Sequence, residues 1–165
     1  PEATGPIIIH RLDQSTSGIL LLAKDKTTHK ALQEQFVTRT ISKRYTALLD
    51  GVIKQPTGQI DLPLRVDLED RPRQMVCYEY GKRSVTDYKV ISVKKHKTLI
   101  EYHPLTGRTH QLRVHSAHKL GLGTPIVGDD LYGQPADRLH LHAGKLTIKH
   151  PLTREDMTFE AELPF

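Results

Sequence analysis

Two short stretches of this chain concentrate the side chains that could do chemistry. The first is His10-Arg11-Leu12-Asp13-Gln14-Ser15-Thr16-Ser17-Gly18, which sets one carboxylate in a polar, Gly-ended loop between the apolar runs Ile7-Ile8-Ile9 and Ile19 to Ala23. Short continuous apolar runs bounded by turn residues suit strands covered on both faces, so the loop between them must hang off a sheet. An aspartate displayed there has the chemistry of a nucleophile or general base. It could equally cap a turn or pair with Arg11, since loop Asp and Ser commonly satisfy nearby backbone N–H groups.

The second stretch is His103-Pro104-Leu105-Thr106-Gly107-Arg108-Thr109-His110-Gln111-Leu112-Arg113-Val114-His115. Gly107 permits a sharp strand-to-helix junction and places Arg108 and Thr109 at a helix N-terminus. Cations are disfavoured at that end, so Arg108 reads as a carboxylate partner or phosphate clamp, with a structural ion pair as the alternative. His110, Arg113 and Ala117 share one helical face, and Gln111, His115 and His118 another. Both faces can present polar groups to an anionic backbone.

The elements that must position these residues follow from periodicity. Asp25 or Thr27 can cap a helix carrying Ala31, Leu32 and Phe36 and ending near Thr38 to Thr40. Strands are expected at Ser42 to Leu49, Ile60 to Leu64, Gln74 to Tyr80, Ser84 to Lys94, Thr98 to Tyr102, Leu139 to Ile148 and Met157 to Glu162. A helix is expected over Thr109 to Leu120, stopped by Gly121, with a Gly-rich loop over Gly121 to Gly133. Many strands with two main helices predict an α+β fold with a mixed, mainly antiparallel sheet flanked by helices and loops. The length of 165 residues predicts one domain.

Charge and composition narrow the partners. Twenty-four Lys and Arg against nineteen Asp and Glu give a formal net charge of +5, which suits a polyanionic partner. Cys77 is the single cysteine, so no internal disulfide can form and a reducing, cytoplasmic setting is expected. No apolar segment approaches the ~20 residues that a membrane span needs. Ten histidines raise the question of a metal, but there is no HExxH pattern and no paired Cys. Gly128-Asp129-Asp130 could suggest a magnesium site; a turn that positions Tyr132 is the favoured reading. No metal and no cofactor are expected.

Taken together, the ordered motifs resemble the RluA family of pseudouridine synthases. They are His10-Arg11-Leu12-Asp13 with Thr16-Ser17-Gly18, Lys43-Arg44-Tyr45, Thr106-Gly107-Arg108 with His110-Gln111-Leu112-Arg113 and His115, then Gly128-Asp129, Tyr132-Gly133 and Leu139-His140-Leu141-His142-Ala143. The middle segment, Arg71-Pro72-Arg73-Gln74 with Val76-Cys77-Tyr78-Glu79, is similar to the dual-specificity subgroup that acts on tRNA anticodon stem-loops and 23S rRNA. The resemblance implies a pseudouridine synthase fold and a cofactor-free isomerisation of uridine in structured RNA. A noncatalytic RNA-binding module of the same fold is the alternative, and a metal-dependent hydrolase using Asp13 and the histidines a more distant one.

Carried over residue by residue, the resemblance makes Asp13 the catalytic aspartate, Tyr45 the aromatic packed against the target base and Arg108 the arginine paired with Asp13. Arg11 matches the arginine that fills the space of the flipped nucleotide. His10, Thr16, His110 and Arg113 join it as RNA-binding candidates, and Lys43, Arg44, Arg71, Arg73, Lys82 and Arg83 as possible phosphate contacts. The family's N-terminal strand pair with its Lys-Pro motif is not in this sequence, so residues 1–165 are expected to be a catalytic domain lacking those strands. No obligate protein partner is inferred.

Overall fold

The computed structural model describes residues 7–165, so the loop expected over Pro1 to Pro6 lies outside the described residues. The elements in chain order are β1 (Ile7–Ile8), β2 (Ser17–Gly18), β3 (Leu22–Ala23), α1 (Lys26–Val37), β4 (Ser42–Leu49), β5 (Thr57–Asp61) and β6 (Leu64–Val66). They continue with β7 (Gln74–Val76), β8 (Val85–Lys94), β9 (Lys97–Pro104), α2 (Gln111–Ala117), β10 (Leu141–Lys149) and β11 (Asp156–Glu160). The main sheet runs β11-β10-β4-β9-β8-β5 with every neighbouring pair antiparallel. The short β2 joins it by pairing parallel with β10. This is the mixed, mainly antiparallel α+β architecture expected.

Strand alternation fixes which residues meet the core. On β4, Ala47 and Leu49 are fully buried and share their face with Tyr45 and Lys43, because strand side chains alternate with a period of two. Ile100 and Tyr102 of β9 lie under the same cover, with Leu112 of α2 and Ile126 completing the cluster. A register shift in β10 between Ala143 and Lys145 re-phases that strand. Leu141 and Ala143 face inward before it, and Leu146 and Ile148 after it, where they form a second cluster with Leu32 of α1. The cap of α1 is Asp25, whose Oδ1 accepts from Thr28 N at 2.8 Å.

Several expected strands are shorter, for local reasons. The runs Ile7 to Ile9 and Ile19 to Ala23 contribute only two-residue strands, and Ile8, Leu20 and Leu22 are exposed: these strands make a separate two-stranded ribbon, not sheet centre. The expected strand Ile60 to Leu64 divides at Leu62-Pro63, where the chain leaves β5 for the β6–β7 hairpin. The run after Val76 turns instead of extending, with Gly81 N donating to Cys77 O. Cys77 itself is half-buried. The second helix covers Gln111–Ala117 and not Thr109 to Leu120; His110 precedes it in a left-handed conformation, and Leu120 is exposed beyond a turn closed by Gly121 N to His118 O.

Helix α2 is not an RNA-facing element. Gln111, Arg113 and His115 are all buried, which overturns the expectation that its two polar faces meet RNA. His115 Nε2 is 3.3 Å from Leu62 O and Nδ1 is 2.9 Å from Thr86 Oγ1, so a neutral ring donates to the carbonyl and accepts from the hydroxyl. Burial pushes its pKa down from 6.5 to about 4. A folded pKa below the unfolded one means that the unfolded chain binds more protons between these values, so the contribution of His115 is full above pH 6.5 and is lost as pH falls toward 4. The unfolding free energy is therefore expected to fall across that window, by about 3 kcal/mol from this group, and His115→Asn to flatten the dependence; urea titrations from pH 7 to pH 4 measure it.

Candidate active site

The carboxylate loop is clasped at both ends. Thr16 N donates to Asp13 O at 2.9 Å, making the turn that displays Asp13. Ser17-Gly18 then adds to the sheet beside His142-Ala143, and Ser17 Oγ lies 2.9 Å from His142 Nδ1. Gly18 has φ +117°, and a Cβ there would meet Ala143 O at 2.3 Å, so only glycine lets the loop approach the sheet this closely. Across the loop, His10 Nε2 accepts from Leu21 N at 3.0 Å while the ring stacks on Phe36 at 4.9 Å. Burial, and then the charge of Lys43, lower the pKa of His10 and keep Nε2 available as an acceptor. This nitrogen is already occupied, so His10 acts first as a clasp on the loop.

A cleft of about 650 Å³ opens beside the loop, lined by His10, Arg11, Asp13, Thr16, Lys43, Tyr45, Gly107, Arg108 and their neighbours. Its far wall is the segment Thr106-Gly107-Arg108, and a single amide holds it. Gln111 Oε1 accepts from Thr106 Oγ1 at 2.7 Å and from Arg108 N at 3.0 Å, while Nε2 donates to Val85 O and Thr86 Oγ1. All four bonds are made by one side chain, three of them in the buried interior. Thr16 Oγ1 is buried with no hydrogen-bond partner among the described residues, leaving one polar atom on the cleft wall unsatisfied.

Tyr45 lies on the floor of this cleft, carried by β4 and packed against the main core. Burial, and secondarily the charge of Asp13, push its phenol up to about 12, so it stays protonated. The aspartate's field reaches three further groups: His110, Arg113 and Tyr132. The structure thus gathers Asp13, Tyr45 and Arg113 into one electrostatic neighbourhood, although they come from a loop, a strand and a helix.

The arginine in that neighbourhood is not the expected one. Arg108 lines the cleft but forms no ion pair among the described residues, and its Nε donates to Arg83 O at 3.4 Å. Arg113, expected to touch RNA, is buried instead. Its Nε and Nη2 bind Asp129 at 2.9 and 2.6 Å, and Nη2 also reaches Asp130 at 3.0 Å. Burial by itself would lower its pKa, but Asp129, then Asp13 and Asp130, more than offset this and hold it above the usual value. Helix α2 is buried all round from Gln111 to Ser116, so Arg113 is enclosed whichever face it occupies, which a surface-helix reading could not assign.

Asp129 is itself a turn residue. Its Oδ1 accepts from Leu131 N and Tyr132 N, both at 3.1 Å, the turn favoured for Gly128-Asp129 over a magnesium site. No group of three potential metal ligands occurs among the described residues. The turn sets Tyr132 with its ring 5.3 Å from the Arg113 guanidinium carbon. Tyr132 Oη accepts from Gln74 N at 2.7 Å and lies 2.8 Å from His110 Nδ1, so its own hydrogen is free to be donated to the imidazole. His110, lowered in pKa first by burial, is thereby tied to Tyr132 behind the site; it is absent from the cleft lining. Arg11 is exposed at the cleft mouth. Neither Tyr132 nor Asp129 was singled out from sequence as part of the site; the Asp-x-x-Tyr spacing within a Gly-rich loop was the available signal.

A lone carboxylate in the same cleft as a protonated phenol, where the other charged side chains are cations, is suited to nucleophile or base chemistry on a ligand attached to an anionic backbone. Comparison with known proteins identifies the class. Residues 1–118 match the family model described as RNA pseudouridylate synthase, and the chain belongs to this family. Its members are isomerases that convert uridine in RNA to pseudouridine, and this chain is such an enzyme.

Among individual relatives, it is 48% identical over 165 residues to the dual-specificity RNA pseudouridine synthase RluA of Haemophilus ducreyi, covering 94% of this chain and 73% of that protein. It is 44% identical over 163 residues to the protein of the same name from Escherichia coli K12, covering 95% and 73%. Human RNA pseudouridylate synthase domain containing 1 superposes with a TM-score of 0.84 at 34% identity, covering 98% of this chain and 70% of that one. The human domain containing 4 superposes at 0.80 with 28% identity, over 96% and 72%.

The buried pair is open to a direct test. Arg113→Met leaves the Asp129 carboxylate buried against two backbone N–H groups alone, and is expected to cost about 3–5 kcal/mol. Adding Asp129→Asn removes the orphaned charge and should restore part of that loss. Urea unfolding of the two single variants and the double variant gives the coupling energy; additive losses would show that the pair is not coupled.

Proposed function

We propose that Asp13 is the nucleophile or base of uridine isomerisation and that Arg113, oriented by Asp129, is its cationic partner. The observation that carries this reading is the meeting of Asp13 and Tyr45 in one cleft, and it is supported by the pull of Asp13 on a buried guanidinium whose Nε and Nη2 are held by Asp129 and Asp130. Arg108 takes a different part, at the cleft wall, where its exposed guanidinium suits a phosphate contact.

The chemistry needs little else. The N1–C1′ bond breaks, the uracil turns and a C5–C1′ bond forms; the C5 proton leaves to solvent and N1 takes one up. No electrons are gained or lost, so neither redox cofactor nor metal enters the balance. The target base must first leave its stack, at a cost of a few kcal/mol. Tyr45 offers it a rigid, uncharged ring, and such stacking is worth about 1–3 kcal/mol per base. Arg11, at the cleft mouth, is placed to occupy the gap left in the RNA. Thr16 Oγ1, buried and unpartnered among the described residues, is available to the bound nucleotide.

The named relatives are dual-specificity RNA pseudouridine synthases, and the substrate read for this chain, from its resemblance to the dual-specificity subgroup, is a uridine in a tRNA anticodon stem-loop, in 23S rRNA, or in both. Residues 1–165 act as the catalytic domain, in the cytoplasm where those RNAs are found. Tritium release from anticodon stem-loop RNA labelled at uracil C5 tests the reading. Release is expected from the wild type with or without chelator. Asp13→Asn should abolish it, Tyr45→Phe keep it substantially, and Arg113→Lys lower kcat more than it raises KM. Intact RNA binding without release by the wild type would favour a noncatalytic module, and chelator sensitivity a metal-dependent reaction.

A further inference from the structure

One end of the cleft holds a pair of cations that the isomerisation itself does not use. Lys43 stands two residues before Tyr45 on β4 and so enters the cleft from the same face of the sheet. Its Nζ lies 3.3 Å from the point a Cβ on Gly107 would occupy, against the backbone of the Thr106-Gly107-Arg108 wall. Arg39, in the turn after α1, lines the same recess, and its charge acts on Lys43. Neither makes an ion pair among the described residues.

Elsewhere on the sheet, Arg44 is paired with Glu101 and Glu160, and Lys145 with Glu160. In the cleft, the lining cations Arg11, Arg39, Lys43 and Arg108 face Asp13 as the one carboxylate. Lys43 is half-buried, and the groups whose fields couple to it are Arg39 and His10, neither of them an acid. Burial and the charge of Arg39, which is itself exposed, both disfavour the Lys43 ammonium, and an anion bound beside the two cations relieves both costs.

We propose that Lys43 and Arg39 form a clamp for one RNA backbone phosphate next to the target uridine. A phosphodiester there neutralises both cations and ties the flipped nucleotide's sugar-phosphate to the strand that carries Tyr45, two residues along. Lys43 is then a positioning residue: it fixes the ribose relative to the stacking ring and to Asp13. The inference rests on the reading of the cleft as the uridine site, and extends it to the part of the RNA that is held.

The test is linkage-specific. Anticodon stem-loop RNAs, each with a single uncharged methylphosphonate linkage at one position around the target uridine, are bound by wild-type protein and by Lys43→Met, Lys43→Arg and Arg39→Gln. Wild-type affinity is expected to fall about tenfold at one linkage. Lys43→Met should show that loss with unmodified RNA and no further loss at that linkage, and Arg39→Gln a smaller loss at the same linkage. Lys43→Arg should keep most of the affinity. The slope of log Kd against log[salt] should drop by about 0.7–0.9 for Lys43→Met. Its melting temperature should be unchanged or raised, because an unpaired, half-buried cation has been removed.

Losses that add independently at every linkage, or an unchanged salt slope, would overturn the clamp and make Lys43 a packing residue. Linkage-specific binding by a wild type that releases no tritium would leave the clamp standing and overturn the isomerase reading instead.

Discussion

The buried pair between Arg113 and Asp129 is the interaction on which the site depends. A guanidinium 5% exposed and a carboxylate with no exposure meet through two hydrogen bonds, and each has further partners that a desolvated charge requires. Asp129 takes two backbone N–H groups of its own turn, and Arg113 takes Asp130 and the ring of Tyr132. This one contact therefore fastens α2 to the Gly-rich loop. Through Tyr132 Oη and Gln74 N it also ties the turn end of the β6–β7 hairpin to the same point. It determines where the guanidinium sits relative to Asp13, a placement that an exposed arginine on a mobile stem could not guarantee.

Around this fixed cation the cleft separates groups that stay neutral from groups that stay charged. Burial keeps the phenols of Tyr45 and Tyr132 protonated, and lowers His10, His110 and His115 toward the neutral ring. Each of these histidines serves as a connector: His10 across the catalytic loop, His110 to Tyr132, His115 between β8 and the chain leaving β5. The histidine-rich sequence, which raised the question of a metal, is thus used for hydrogen bonding in places where a charged side chain would be costly. What remains charged in the cleft is one carboxylate and a set of cations, the pattern suited to a reaction at a sugar held by its phosphates.

Much of this was legible in the sequence because it is local. The cap and span of α1, the whole of β4, the hairpin of β8 and β9, and the turn at Gly128-Asp129 follow from periodicity and turn chemistry within a few residues. The ordered motifs around Asp13, Tyr45 and Gly107 were enough to imply the family, and so the fold and the reaction. The strands flanking Asp13 were misjudged because apolar content does not distinguish a sheet centre from a peripheral ribbon. The span of α2 was overestimated because Gly121 was read as its stop, whereas the chain already turns extended at His118 and leaves Leu120 exposed.

What only the tertiary structure decided is which charges meet. Arg108 and Arg113 are five positions apart in the same motif; the resemblance named Arg108 as the partner of Asp13, whereas the partner proposed from the structure is Arg113, the buried one of the two. The choice depends on burial, and burial depends on Asp129 arriving from sixteen residues further along to neutralise one of the two. The same holds for Lys43 and Arg39, whose meaning lies in the absence of a neighbouring acid among the described residues. Residue types and short spacings determined the chemistry available to this protein; long-range packing, which sets dielectric and distance together, determined which residues are placed to use it.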